Sequence, residues 1–129
     1  MTNDVGAAEI PFIPGYEKVI PFDAAFGDPA VRPDWSGYTV RAHLDGRDVE
    51  MLVPSAQITI ETRTVFTEPG ATSGATTTHD IPVITLTADD TKSLKGQGAK
   101  LFVDVAATGS EPSLVMTATL VEQSSPSTA

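Results

Sequence analysis

Alternation of apolar and polar residues is the strongest pattern along this chain. It is clearest in Tyr38–Leu44, where every second residue is apolar, which is the period of a β-strand with one buried face. The same period or a short apolar run predicts further strands at Asp48–Val53, Gln57–Phe66, Ile81–Thr87, Ala99–Ala106 and Ser113–Glu122. The last of these has apolar residues on both faces, which predicts either a central place in its sheet or a covered outer face.

Two segments between the strands depart from this pattern. Residues 67–80 are rich in Thr, Gly, Ala and Ser and too poor in apolar groups to offset the entropy of ordering, so they are predicted to form a loop. Thr87–Asp90 has the form of a helix N-cap with acidic residues in the first turn, and Gly96 follows as a stop signal. We therefore predict one or two helical turns over Asp89–Lys95.

The spacing of the predicted strands is typical of a β-sandwich. The predicted helix is shorter than the dozen or so residues that a crossover between parallel strands needs, so the strands are expected to be antiparallel. The predicted fold class is all-β, an antiparallel sandwich with one short helix.

The first 34 residues have a different character. Five of the ten prolines lie before Trp35, and proline favours extended backbone but lacks the N–H for ladder bonds. The segment is also apolar, so its side chains need a surface to cover. One hypothesis is an extended arm that docks on a neighbouring subunit; the alternative is packing on its own domain, with Val19–Phe22 as an edge strand. The candidate contact residues of the arm are Ile10, Phe12, Ile13, Tyr16, Val19, Ile20 and Phe22.

Length and charge narrow the class of protein. The 129 residues fit one domain, and the absence of cysteine excludes disulfides and thiolate zinc sites. A net charge of −9 without a basic cluster is poorly suited to nucleic acid. The chain lacks an apolar run long enough for a membrane span, and its N-terminus lacks the basic residues of a secretory signal. We expect no nucleic-acid or membrane partner, and synthesis in a cytoplasm.

The residues that could carry chemistry have simpler explanations. His43 and His79 could ligate a metal, but a metal site needs several converging ligands, so solvated histidines are favoured. Asp89 and Asp90 could form a carboxylate cluster with Asp104, but helix capping explains the first two. We therefore predict no catalytic residue, no metal and no cofactor.

Trp35 is the one tryptophan of the sequence, and Tyr38 lies three residues after it. Such amphipathic rings could form a sugar-stacking platform, which would make the chain a carbohydrate-binding or host-surface adhesion module. A place for Trp35 in the core is the favoured interpretation.

Two stretches resemble a known family. Asp34–Ala42 reads D-W-S-G-Y-T-V-R-A, and Ile84–Leu94 reads I-T-L-T-A-D-D-T-K-S-L, followed by Gly96 and by Phe102–Val105. These stretches resemble the immunoglobulin-like domains of tailed-phage virion proteins, and most closely the N-terminal domain of phage baseplate upper proteins. The resemblance covers residues 34–122.

This resemblance implies an immunoglobulin-like sandwich and a structural, non-enzymatic role in a virion made in the host cytoplasm. Expected positions are the tail, the baseplate, a fibre attachment, or a capsid decoration or cement layer. The implied partners are other virion proteins, with the chain present as a homo-oligomer or in many copies. We expect an arm or lead-in over residues 1–34, the sandwich over 35–122 and a polar tail over 123–129.

Overall fold

Strands dominate the computed structural model, which describes residues 6–25, 28–107, 109, 111 and 113–123. Residues 1–5 of the predicted arm and residues 124–129 of the predicted tail lie outside this range. The strands are β1 (Gly6–Phe12), β2 (Lys18–Pro21), β3 (Tyr38–Asp45), β4 (Glu50–Leu52), β5 (Ile58–Phe66), β6 (Thr76–Leu86), β7 (Lys100–Ala107) and β8 (Ser113–Glu122), and the helix is α1 (Ala88–Ser93). Single turns of 3-10 helix cover Trp35–Gly37 and Ser55–Gln57.

The strands form two sheets. One has the order β1-β8-β7-β3-β4 and the other has the order β2-β6-β5. β8 lies between β1 and β7, which confirms the central place predicted from its two apolar faces. A mostly β fold with one short helix is likewise confirmed.

One strand pair contradicts the antiparallel expectation. β1 runs parallel to β8, with Gly6 opposite Met116 and Phe12 opposite Glu122. The prediction considered only helical crossovers between consecutive strands. β1 and β8 come from opposite ends of the domain, so the whole intervening chain makes the connection and no crossover helix is needed.

β6 is longer than predicted. It begins at Thr76, so the prediction of a loop is wrong for residues 76–80. These residues pair with β5 from Thr62 to Phe66. The partner strand supplies hydrogen bonds to their backbone, and β-branched threonine suits an exposed pleated surface.

The predicted helix cap is confirmed. The Thr87 hydroxyl accepts from the Asp90 N–H at 3.1 Å, and the Asp90 carboxylate accepts from the Thr87 N–H at 3.0 Å. This reciprocal pair is a capping box, which begins α1 one residue earlier than predicted. Leu94, directly after α1, is buried in the core.

The core lies between the two sheets and takes side chains from both. Leu44, Leu101 and Val103 enter it from the five-stranded sheet, and Ile84 and Leu86 enter it from β6. The alternation that predicted β3 and β7 is therefore the alternation between core and solvent. It is regular because one face of each strand is covered.

The N-terminal segment contributes an edge strand to each sheet. β1 pairs with β8, and β2 pairs with β6 from Lys18 opposite Leu86 to Pro21 opposite Val83. The alternative interpretation, in which this segment packs on its own domain, is confirmed for β2. β1 and β2 are thus edge strands of the two sheets, joined by the turn over residues 13–17.

Candidate interaction surfaces

Burial divides the seven candidate contact residues of the N-terminal segment. The side chains of Phe12, Ile20 and Phe22 are buried in the core, and Ile10 packs against it. Ile13 is half-buried, whereas Tyr16 and Val19 are exposed. The buried side chains already have partners within the domain, so in this conformation they are not available to a neighbouring subunit. The assignment of the seven residues as contact residues of an arm stays a prediction.

A buried threonine fastens the turn between β1 and β2. The Thr91 hydroxyl accepts from the Gly15 N–H at 3.1 Å and donates to the Tyr16 carbonyl at 2.9 Å. Gly15 has a φ of +86°, a conformation that glycine adopts without a steric penalty. The turn is therefore bonded to α1, although nothing in the local sequence of Thr91 signals this role.

Trp35 lies in the core, which confirms the favoured interpretation. Trp35 is 1% exposed. The ring contacts Phe22 at a centroid distance of 5.8 Å and meets the Tyr38 ring edge-on at 5.5 Å. A sugar stacks on an exposed ring face, and Trp35 does not present one. Trp35 and Tyr38 therefore do not form the sugar-stacking platform that was the alternative interpretation.

A mixed patch lies where β3, β4 and β7 meet, beside a shallow cavity of about 400 Å³. Arg41 donates to Asp104 through Nε and Nη2 at 3.0 and 3.4 Å. The His43 ring stacks on Phe102 with centroids 4.9 Å apart, and Leu52 lies opposite His43 on β4. Arg41 and Asp104 pair with each other, but Glu50 also lines the cavity, so the patch offers a ligand both charged and apolar contacts.

The structure also places the residues considered for metal or acid–base chemistry. His79 lies 3.2 Å from the Pro33 carbonyl through Nε2, far along the chain from His43. Asp90 is used in the capping box and also accepts from the Gln57 side chain at 2.9 Å. Within the described ranges, no three His, Asp or Glu side chains converge on a point that could hold a metal ion.

The outer edge of β5 is the surface that sequence reasoning missed. β5 has β6 on one side and no described strand on the other. It is nine residues long, with neither proline nor lysine, and the side chains from Thr59 to Thr62 are exposed. Long open edges of this kind pair readily with another strand. Alternation predicted the strand, but which strand lies at an edge depends on the assembled sheet.

Each of the other sheet edges has at least one protective feature. β4 has three residues, and β2 has four, of which the last is Pro21. β1 contains Pro11. Short edge strands and prolines limit pairing with a further strand. β5 therefore differs from the edges β1, β2 and β4, because it is neither short nor interrupted by proline.

Arg32 forms an ion pair within the N-terminal segment and a hydrogen bond to the β5–β6 hairpin. Arg32 donates to both carboxylate oxygens of Asp23, at 2.6 and 2.9 Å, and also to the Thr67 carbonyl at 3.4 Å. The Arg32 side chain is 7% exposed, and the hydrogen bond to Asp23 raises the pKa of its guanidinium. The segment after β2 is thereby bonded to the residue that follows β5.

No family model and no curated protein matches the chain. In the part of the chain that the structure describes, no helix is long and apolar enough to cross a membrane.

Proposed function

We propose that the chain is an immunoglobulin-like sandwich domain that serves as a non-enzymatic structural subunit of a tailed-phage particle. In this proposal the chain binds other virion proteins by adding strands at its sheet edges. The observation that carries it is the β5 edge, which is long, exposed and without proline. Strand addition is a recurrent way for β-domains to hold an extended segment of another chain.

The order of the strands supports the immunoglobulin-like part of the proposal. Variable-type immunoglobulin domains place strands B, E and D in one sheet and G, F, C and C′ in the other. Here β2, β6 and β5 follow the first order, and β8, β7, β3 and β4 follow the second.

The residues that resemble phage virion domains have structural roles, which supports the resemblance as one of fold. Asp34 accepts from the Ser36 N–H at 3.1 Å, at the turn before β3. Thr87 and Asp90 form the capping box, and Leu94 is buried. A shared fold does not by itself establish a shared function, so the virion assignment rests on the resemblance together with the open edge.

The test is whether the chain is a component of tailed particles. An antibody against the chain would be used to probe DNA-filled particles, purified on a density gradient from an induced culture of cells that carry its gene. We expect the chain to sediment with the particle DNA and immunogold to label one position on the particle. Recovery of the chain in particle-free fractions alone would overturn the proposal.

A further inference from the structure

We infer that the β5 edge binds the β5 edge of a second copy of this chain, in antiparallel register about a two-fold axis at Thr62. This inference rests on the proposed function, because it takes the open edge as a binding surface. It deepens that proposal by naming the occupant of the edge. The observation that carries it is the sequence of β5. When two copies of this strand run antiparallel, the residues that lie opposite each other are complementary.

The backbone of β5 presents its free groups at regular positions. The Pro82 carbonyl of β6 accepts from the Phe22 N–H at 2.8 Å, so Pro82 faces the β2 side. Its neighbour Ile81 therefore faces β5 and pairs with Glu61. Along an antiparallel strand, the backbone N–H and C=O of successive residues point to opposite neighbouring strands. Glu61 points to β6, so Thr62 directs its N–H and C=O toward the open edge. So do Ile60, Thr64 and Phe66, which are in phase with it. Ile58 is also in phase but offers only its C=O, because its N–H donates to the Ser55 carbonyl.

With a two-fold axis at Thr62, every residue of β5 lies opposite a residue of the copy's β5. β5 runs from Ile58 to Phe66, and Thr62 is its middle residue. Apart from the Ile58 N–H, which donates to Ser55 within its own chain, each outward-facing residue then lies opposite an outward-facing residue of the copy. The resulting cross-strand pairs are Ile58 with Phe66, Thr59 with Val65, Ile60 with Thr64, Glu61 with Arg63, and Thr62 with itself. Aromatic–aliphatic, threonine–threonine and opposite-charge pairs each stabilise adjacent strands.

Charge selects this register over its neighbours. Within one chain Arg63 lies 3.1 Å from Glu61 on the same face of β5, and both side chains are more than a third exposed. In the paired strands each of these charges also lies opposite its counter-charge on the copy. An axis at Glu61 would place two glutamates opposite each other, and an axis at Arg63 would place two arginines opposite each other. Like charges directly opposite destabilise a strand pair.

Pairing of this kind also closes the assembly. The same edge is used by both copies, so the contact is self-complementary and does not propagate. The joined sheet has the order β2-β6-β5-β5-β6-β2 and ends at both sides in the short, proline-containing β2. The dimer thus covers the long open edge and leaves edges that resist further pairing.

Charge substitutions with exchange between variants test the contact. The full chain would be examined by sedimentation equilibrium, where we expect a dimer. Glu61→Arg and Arg63→Glu should each weaken dimerisation by about tenfold or more, because each places like charges opposite each other at two symmetric points. An equimolar mixture of the two variants should restore the dimer, since the like charges of each chain then face opposite charges. Mixing does not repair the ion pair within a chain, so this recovery isolates the contact between chains.

The matched control is Arg47→Glu, which makes the same change of charge as Arg63→Glu but at an exposed residue outside β5. It should leave dimerisation unchanged. A monomeric wild-type chain would overturn the inference, as would a dimer that neither β5 variant weakens or a mixture that remains monomeric. These outcomes are independent of whether the chain sediments with particles.

Cross-linking tests the register, because the chain has no cysteine of its own. A residue on the axis lies about 5.5 Å from its own copy, Cα to Cα, which a disulfide can bridge. Thr62→Cys should therefore form a covalent dimer on oxidation. Thr59→Cys is the control, because its copy lies six positions away, roughly 20 Å. Equal cross-linking of the two variants would contradict the register.

Discussion

β2 and β5 flank the same central strand, β6, but the two edges differ in nearly every respect. β2 has four residues ending in Pro21, and its Ile20 side chain is buried in the core. β5 has nine residues, and Ile60 near its start is 46% exposed. One edge therefore closes the sheet and helps to build the core, whereas the other leaves the sheet open to a further strand.

This difference bears on the two hypotheses for the N-terminal segment. An arm on a neighbouring subunit was one of them, and β2 instead stabilises its own domain, as the other predicted. β5 was expected only as a strand, and it is the exposed edge. An apolar composition indicates a need for burial, but it does not indicate which molecule provides that burial.

The largest expected effect tests the structural role of β2 with adjacent residues. Ile20 is 6% exposed and Val19 is 39% exposed. Ile20→Ala should lower the free energy of unfolding by about 2–5 kcal/mol, because it leaves a cavity in the core. Val19→Ala should lower it by less than about 1 kcal/mol. Urea denaturation measures both. Equal, small losses of stability would show that Ile20 of β2 does not contribute to the core.

A smaller effect tests the link between the two regions. Arg32→Ala removes the bonds to Asp23 and to the Thr67 carbonyl, and should cost about 1 kcal/mol, reduced from a fully buried ion pair because Asp23 is partly exposed. Amide hydrogen exchange should also quicken at Thr67. The control is Arg47→Ala, whose ion pair with Asp48 is exposed on both sides and should contribute less than about 0.5 kcal/mol. Identical losses for the two variants would show that the link is not structural.

The smallest effect concerns Asp34, just after this link. The Ser36 N–H donates to its carboxylate and lowers the pKa of Asp34. The charged form is thus favoured by folding, and its contribution is present above the unfolded pKa of about 3.9 and is lost as the pH falls through the lower, folded value. Asp34→Asn keeps a capping side chain without the charge. Thermal unfolding should show the wild type as the more stable chain at pH 6, with the gap closing below about pH 4. A gap that does not change with pH would contradict this cause.

Local patterns predicted most of the strands because each depends on residues close in sequence. Alternation in Tyr38–Leu44 reflects one covered face, and the Thr87 cap depends on atoms three residues apart. β1 was missed because its partner, β8, lies at the other end of the chain. Residues 76–80 were missed as a strand for a related reason, since their order depends on pairing with β5.

The candidate surface shows the same division. The sequence by itself determined that β5 would be a strand, that Trp35 would favour the core, and that Glu61 and Arg63 would lie on one face. These properties follow from side-chain size, charge and a period of two. The tertiary structure alone decided that Ile20 of β2 would be buried and that β5 would lie at an open edge. Edge position is a property of the order of strands, and that order is set by contacts between residues far apart in the chain.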